Sequence, residues 1–214
     1  MSVVGIVPAG GSGERLGADR PKAFVVCAGK PLIDWSLDVL EAVCERVVVA
    51  APAEWLRDGW VEGGPSRSAS VRNALAAAPE ARTVVVHDAA RPLVTARIIT
   101  DCFESLASYP VVNVAIESSD TIVQVDADGL VRATLDRASL RRVQTPQGFH
   151  SEVLRDAHAL AAEDPDFAAT DDCGVVMRYL PDRPVVVVAG DERNLKVTTP
   201  ADLQVVAALL AAAE

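Results

Sequence analysis

The sequence of 214 residues has few aromatic side chains, only 4%, and fewer basic residues than acidic ones, 20 against 30. Because half of the residues are hydrophobic, we expect an aliphatic core built mostly from Val, Ala and Leu. The net charge of −10 argues against nucleic-acid binding through a broad basic face and against attachment to an anionic membrane surface. An anionic ligand would therefore need cations that are concentrated in one place.

Cysteine motifs and targeting signals are also lacking. The four cysteines, at positions 27, 44, 102 and 173, form no Cys-x-x-Cys pair, so we expect reduced and mostly buried thiols in a cytoplasmic protein. The first residues do not combine a basic segment with an apolar one, so we expect no signal peptide. No apolar run is long enough to span a membrane. The length suits one α/β domain over residues 1–214.

Short runs rich in Val alternate with helical patterns along the chain. Continuous apolar runs separated by helices are typical of a parallel sheet covered on both faces. The sequence therefore predicts an α/β fold with a doubly wound, mostly parallel, Rossmann-like sheet. The predicted strands are 3–7, 46–50, 83–87, 111–116 and 184–189, and the predicted helices are 31–44, 66–78, 95–106 and one from 200 onward. In the first helix, we expect Leu32, Trp35, Val39 and Val43 to form the buried face.

One segment interrupts this alternation. Residues 121–125 and 130–135, with a turn at 126–129, predict a β-hairpin. We expect the segment at about 118–142 to project from the sheet as an inserted arm. From the pattern alone, a lid or arm and a surface excursion without a role are equally supported.

A glycine-rich loop follows the first strand. Four glycines lie between positions 10 and 17, and the cations Arg15 and Lys22 belong to the same loop. Ligands of open α/β sheets bind beyond the carboxyl ends of the strands, and glycines let backbone N–H groups surround an anion. We therefore interpret the loop as a phosphate site rather than as a flexible connection. Its spacing fits neither the Rossmann fingerprint nor the P-loop.

Four further stretches follow in order along the chain: GGPSRSASVRNAL (63–75), VHDAARPLV (86–94), DRASLRRVQTPQGF (136–149) and NLKVTTPADL (194–203). Together with the first loop, G-G-x-G-x-R-L followed by P-K, they resemble the 2-C-methyl-D-erythritol 4-phosphate cytidylyltransferase family of the nucleotidyltransferase superfamily. The resemblance covers essentially the whole chain. It implies transfer of CMP from CTP to methylerythritol phosphate with release of pyrophosphate, in non-mevalonate isoprenoid synthesis. It also implies a homodimer, and Mg²⁺ held mainly through the CTP phosphates rather than by protein ligands.

The same resemblance implies roles for individual residues. The catalytic set is Arg15, Lys22, Arg137 and Lys196. The set that binds CTP is Ala9, Gly10, Gly11, Gly64, Arg67 and Ser70. The set that binds methylerythritol phosphate is Asp88, Arg91, Thr121, Arg137, Thr145 and Lys196. The arm with Thr121 and Arg137 would cross to a partner subunit and complete its site.

Other interpretations stay open for single residues and for the whole chain. Asp88 also suits a cap of the following helix, and Arg91 suits a surface ion pair. Ribitol 5-phosphate cytidylyltransferases share much of the pattern, so a different acceptor is one alternative function. A regulatory module that binds CTP without turnover is another. An acceptor assay separates these functions.

The reaction needs no histidine. A phosphate monoester is largely ionised near neutral pH, so it can attack phosphorus without a general base. We therefore assign no catalytic role to His87, His150 or His158. The pattern places His87 in a strand and His158 on the surface of a helix.

Overall fold

The computed structural model describes residues 3–164, 166–167 and 169–212. Its strands are β1 (Val3–Pro8), β2 (Val26–Cys27), β3 (Lys30–Pro31), β4 (Arg46–Ala51), β5 (Val61–Glu62), β6 (Thr83–Val86), β7 (Val111–Glu117), β8 (Val123–Val125), β9 (Val131–Thr134), β10 (Arg141–His150) and β11 (Val185–Ala189). Its α-helices are α1 (Leu32–Val43), α2 (Arg67–Ala76), α3 (Ala96–Ser105), α4 (Ser151–Ala162), α5 (Asp172–Tyr179) and α6 (Pro200–Ala211). The predicted continuation of the last helix over 213–214 lies outside the described residues.

Seven strands form one sheet in the order β11-β7-β10-β6-β1-β4-β5. Neighbouring strands run parallel except at β10, which is antiparallel to both β6 and β7. The predicted doubly wound, mostly parallel fold is therefore confirmed. Sequence analysis misses β10 because its interior carries Gln144, Pro146 and Gln147 where a central strand normally carries apolar residues. The register of β10 against β7 shifts between Val143 and Gln147, which accommodates the proline.

Helices cover both faces of this sheet. Apolar side chains of α2, α4 and α5 pack on one face, and those of α1 and α3 pack on the other. In α1, Ile33, Leu37 and Leu40 are buried against the sheet, and Val39 and Val43 of the predicted face are partly buried in the same cluster. The predicted Leu32 instead packs with Val206 and Leu210 of α6 in a third, smaller cluster.

Helix α4 buries one of the three histidines. The His158 side chain is 1% exposed, so its predicted place on a helix surface is wrong. The reason is that α4 packs against α5 as well as the sheet, which covers the side of the helix that the local pattern leaves polar. The expected state of the cysteines is confirmed, since all four are free and buried.

The predicted hairpin is confirmed as a two-stranded sheet of β8 and β9 apart from the main sheet. Its turn is held by Asp126, whose Oδ1 accepts the N–H of Asp128 at 3.0 Å and that of Leu130 at 2.9 Å. Gly129 has φ 80°, a left-handed conformation that favours glycine. Exposed Val125 and Val131 leave apolar surface on this arm.

Candidate active site

A cavity of about 260 Å³ opens at the carboxyl ends of β1 and β6, where open α/β sheets bind ligands. Its lining comes from the loop after β1, the loop before α2, the loop after β6 and the loop that precedes α6. The cavity brings together nine of the residues with predicted roles: Ala9, Gly10, Gly11, Lys22, Gly64, Arg67, Ser70, Asp88 and Lys196.

The glycines of the first loop serve two purposes. Gly10 and Gly11 line the cavity, and a Cβ built on Gly11 meets no atom within 4 Å, so a side chain there would project into open space. Gly13 and Gly17 have φ of 78° and 68°, where glycine is favoured. A Cβ on Gly13 would also lie 2.8 Å from the carbonyl oxygen of Arg20. Gly10 and Gly11 therefore lie at the central cavity, whereas Gly13 and Gly17 turn the chain.

This turn returns Lys22 to the cavity. Its backbone N–H donates to the carbonyl of Gly11 over 2.9 Å. Two residues later, the buried Phe24 stacks on Trp55 with ring centroids 4.5 Å apart. The backbone of Lys22 is therefore fixed on both sides, and the residue belongs to the cavity lining.

Three cations lie near one another at this point. Arg15 lines a second cavity, of about 190 Å³, which shares Gly11 and Lys22 with the first. Burial is the largest cause that lowers the pKa of Lys22, followed by the charge of Lys196 and, more weakly, that of Arg15. An anionic ligand would relieve this repulsion. The arrangement therefore suits a polyphosphate that extends from one cavity into the other.

The loop before α2 is shaped by one buried hydroxyl. Ser70 Oγ accepts the N–H of Gly64 over 3.1 Å and donates to the carbonyl of Ser66 over 3.1 Å. A Cβ on Gly64 would lie 2.3 Å from the Cβ of Ala69, so the close approach of loop and helix requires glycine. Ser70 thus holds the loop that lines the cavity, and its predicted contact with CTP stays a prediction.

A chain of ion pairs runs beside the cavity. Arg67 donates from Nη1 to Asp172 Oδ2 over 2.6 Å and from Nε to Asp88 Oδ1 over 3.3 Å. Asp88 Oδ2 lies 2.7 Å from Lys196 Nζ. Burial raises the pKa of Asp88, but Arg67 and Lys196 outweigh it and hold that pKa well below its usual range. Asp88 therefore stays ionised, and Arg67, predicted to bind CTP, already pairs with two carboxylates.

Lys196 is placed by a loop that β10 and Arg91 hold in position. Arg91 donates to the carbonyl of Asn194 over 2.7 Å and to that of Val143 over 3.3 Å. Asn194 Nδ2 donates to the carbonyl of Thr145 over 2.9 Å. Arg91 is buried, so the alternative of a surface ion pair is wrong. Its predicted contact with substrate stays a prediction, because its terminal nitrogens are engaged by the backbone.

The hydroxyl of Thr145 joins two neighbouring residues. Thr145 Oγ1 accepts the N–H of Asp88 over 3.0 Å and lies 3.1 Å from Nδ1 of His87. His87 Nε2 lies 3.2 Å from the carbonyl oxygen of Arg91, which can only accept. His87 therefore carries its proton on Nε2 and accepts from Thr145 at Nδ1. Burial is the largest cause that lowers the pKa of His87, to about 4, so the ring is neutral at pH 7.

We expect acid to destabilise the fold through His87. Its pKa falls from the usual 6.5 to about 4 on folding, so the unfolded chain takes up the proton at a higher pH. The contribution of this group is fully present above about pH 6.5 and is lost as the pH falls towards 4. Between pH 7 and 5, the free energy of unfolding should fall by about 2 kcal/mol on this account. Urea unfolding at several pH values measures the slope.

His150 provides the matched control, because its ring is partly exposed and its Nε2 contacts the carbonyl of Leu106. In His87→Gln, the free energy of unfolding should no longer show this fall between pH 7 and 5. In His150→Gln, the fall should remain. An equal slope in the wild type and in His87→Gln would contradict the assignment.

Two predicted residues of the arm lie outside the central cavity. Arg137 lines another cavity, and its Nη1 donates to the carbonyl of Ser119 over 2.9 Å. Thr121 is exposed beside the arm strands. One chain therefore brings Lys196 to the central cavity but brings neither Arg137 nor Thr121 there. Their predicted role in a partner's site stays a prediction.

Sequence analysis misses two buried residues behind the cavity, Asp172 and His158. The pair Asp171-Asp172 before an apolar run is a signal for a helix N-terminus, and Asp171 does cap α5 by accepting the N–H of Gly174 over 2.8 Å. No local pattern shows that the next carboxylate points to Arg67, because the two residues lie 105 positions apart in the chain.

Comparison with known proteins decides the family. The family model described as IspD, 2-C-methyl-D-erythritol 4-phosphate cytidylyltransferase, matches residues 3–212. The chain belongs to this family. The match extends from β1 to α6 and so includes every loop that lines the cavity.

Individual members of the family agree with this assignment. A protein named 2-C-methyl-D-erythritol 4-phosphate cytidylyltransferase from Thermobifida fusca is 46% identical, over 97% of this chain and 93% of that protein. The protein of the same name from Nocardia farcinica is 44% identical, over 98% of this chain and 94% of its own length. The crystal structure of the enzyme of that name from Thermus thermophilus superposes with a TM-score of 0.83 at 34% identity, covering 98% of each chain. The resemblance stated from the motifs is therefore confirmed.

Proposed function

We propose that this chain transfers CMP from CTP to 2-C-methyl-D-erythritol 4-phosphate, releases pyrophosphate, and acts in non-mevalonate isoprenoid synthesis. One observation carries the proposal: Lys22 and Lys196 line the same cavity as the glycine backbone of Gly10 and Gly11. In a protein with a net charge of −10, such a concentration of cations suits two anionic substrates.

The chemistry requires electrostatic stabilisation rather than a protein nucleophile. A phosphate oxygen of the acceptor forms a bond to the α-phosphorus of CTP, and the bond from that phosphorus to the bridging oxygen breaks as pyrophosphate leaves. Negative charge grows on the oxygens around the phosphorus and on the leaving group. We propose that Lys22 and Arg15, which line adjoining cavities, stabilise that charge and so lower the barrier.

The acceptor needs cations of its own, because two anions must approach each other in line. Lys196 supplies one from within the chain. We propose that Arg137 and Thr121 come from the arm of a partner subunit in a homodimer. The exposed apolar residues of the arm, Val125 and Val131 among them, support its contact with another chain.

We propose Mg²⁺ as the cofactor. In the described part of the chain no three His, Cys, Asp or Glu side chains are grouped to hold a metal, and the carboxylate that lines the cavity, Asp88, is paired with Arg67 and Lys196. Mg²⁺ is commonly bound by substrate phosphates with few protein carboxylates. The CTP phosphates would therefore hold the ion, which neutralises their charge when bound.

We also propose a cytoplasmic location and one catalytic domain over residues 1–214, with the arm at about 118–142. The four free, buried cysteines suit a reducing compartment. Across the described ranges, none of the helices has the length and apolar character needed to cross a bilayer.

Pyrophosphate release tests the function. The assay contains CTP and Mg²⁺ with methylerythritol phosphate, with ribitol 5-phosphate, or with no acceptor. We expect pyrophosphate release only in the assay that contains methylerythritol phosphate as the acceptor. Release with ribitol 5-phosphate instead would keep the mechanism and replace the acceptor. Tight binding of CTP without release for any acceptor would favour a regulatory module.

A further inference from the structure

Two buried residues behind Arg67 take no direct part in the proposed reaction. Asp172 is fully buried and His158 is 1% exposed. Burying a carboxylate is costly unless it is paired, and paired buried carboxylates do not by themselves make a fold more stable than apolar residues would. Packing therefore does not explain why Asp172 and His158 are buried at this place.

The contacts of Asp172 lead directly to the cavity. His158 Nε2 lies 2.9 Å from Asp172 Oδ1, and Arg67 Nη1 donates to Asp172 Oδ2 over 2.6 Å. Arg67 Nε then reaches Asp88 Oδ1 at 3.3 Å, and the other oxygen of Asp88 pairs with Lys196 at 2.7 Å. Arg67 is thus held most closely at its buried end, while its other side orients Asp88.

The buried end of this chain of contacts is rigidly supported. Gln147 Oε1, from the centre of the main sheet, accepts the N–H of Asp172 over 3.1 Å and that of Cys173 over 3.2 Å. Gln147 Nε2 donates to Asn113 over 3.0 Å and to Asp171 over 2.7 Å. The first turn of α5 is therefore fixed to β10, and Asp172 offers Arg67 an immobile partner.

We propose that Asp172 and His158 are positioning residues that anchor Arg67, so that Arg67 fixes Asp88 and Asp88 directs Lys196 towards the acceptor phosphate. The inference rests on the proposed function. Without the anchor, the whole guanidinium of Arg67 is free to pair with Asp88, and the carboxylate then turns away from Lys196. The effect on the acceptor should exceed the effect on CTP. Arg67 is itself predicted to bind CTP, but the loops that carry the other predicted CTP residues are held by bonds of their own, from Ser70 to Gly64 and from Lys22 to Gly11.

Steady-state kinetics of Asp172→Asn tests this. We expect KM for methylerythritol phosphate to rise roughly tenfold, the size of effect typical of a residue that orients a ligand-binding group. KM for CTP should rise less than KM for the acceptor, because only Arg67 of the predicted CTP set loses a contact and the CTP loops keep their own hydrogen bonds. Asp156→Asn, an exposed carboxylate on the same helix as His158, is the matched control and should behave as the wild type.

Two comparisons separate positioning from a purely structural role. If Asp172 acts through Arg67, the double variant Asp172→Asn with Arg67→Lys should have no higher KM for the acceptor than Arg67→Lys alone. His158→Gln keeps an N–H donor for Asp172 and should stay near the wild type, whereas His158→Phe should raise the acceptor KM as Asp172→Asn does. These histidine variants also test the inference if Asp172→Asn does not fold.

The outcomes that overturn the inference are distinct from those that overturn the function. Asp172 would have a structural role only if the two substitutions of the double variant multiplied their effects on KM for the acceptor. The same conclusion would follow if Asp172→Asn lowered kcat and Tm and left both KM values unchanged. Equal KM values for the acceptor in His158→Gln and His158→Phe would show that His158 has no positioning role. A wild type that is inactive with every acceptor would overturn the proposed function and this inference with it.

Discussion

Replacing Lys22 with alanine should lower kcat by about 10²- to 10³-fold, the cost of removing one preorganised group that stabilises transition-state charge. The affinity for CTP should fall by less than about tenfold, because the glycine backbone still binds the ground state. The geometry supports this split, since the N–H of Lys22 stays bonded to Gly11 whatever its side chain, and Phe24 keeps the turn in place. Single-turnover rates together with calorimetric titration of CTP measure the two quantities separately.

Arg20 is the matched control for this experiment. It belongs to the same loop, but it is exposed and pairs with its neighbour Asp19 at 2.9 Å. Arg20→Ala should keep kcat within about twofold, as expected for an exposed ion pair. An unchanged kcat in Lys22→Ala, or an equal loss in both variants, would remove Lys22 from the mechanism.

The parallel part of the fold was predictable because burial on both faces leaves a local trace. β1, β4, β6, β7 and β11 are short segments rich in Val, and each predicted segment lies within a few residues of its observed bounds. Helix caps are equally local. Thr199 accepts the N–H of Asp202 at the start of α6, and the carboxylate of Asp202 accepts the N–H of Thr199, as a capping box requires.

The antiparallel strand β10 was not predictable in this way. Gln144 and Gln147 are buried there because each satisfies backbone groups of other segments, at Asp191 and Asp172 respectively. Such partners are fixed only by the tertiary fold. For the same reason the local pattern of α1 could not show that the buried Leu32 packs against α6 rather than against the sheet.

The candidate site shows the same division. The family resemblance carried by the motifs implied nine lining residues of the cavity, and of these only the glycines and Lys22 of the first loop have a local signature of their own. The motifs did not predict that Arg67 is shared by two carboxylates or that Arg91 holds the loop of Lys196. Both facts depend on pairs distant in sequence, which one sequence cannot reveal.

The composite site can be tested by mixing two defective variants at an acceptor concentration far below the raised KM of Arg137→Ala, where each variant alone has little activity. Lys22→Ala is defective in the body of a subunit, and Arg137→Ala is defective in its arm. If the arm completes the partner's site, each mixed dimer has one site with both defects and one site with neither. After random exchange of subunits half of the dimers are mixed, so the mixture should reach about one quarter of the wild-type activity.

Arg137→Ala alone should raise KM for the acceptor more than it lowers kcat, since its charge holds a phosphate in both the ground state and the transition state. The control is a mixture of Lys22→Ala with Lys196→Ala, because both residues line the cavity of one chain. Every mixed dimer then has one defect in each site, and no activity should return. Recovery in the first mixture and not in the second would assign Arg137 to the partner's site. Activity equal to the mean of the two separate variants in the first mixture would place Arg137 in the site of its own chain or outside the mechanism.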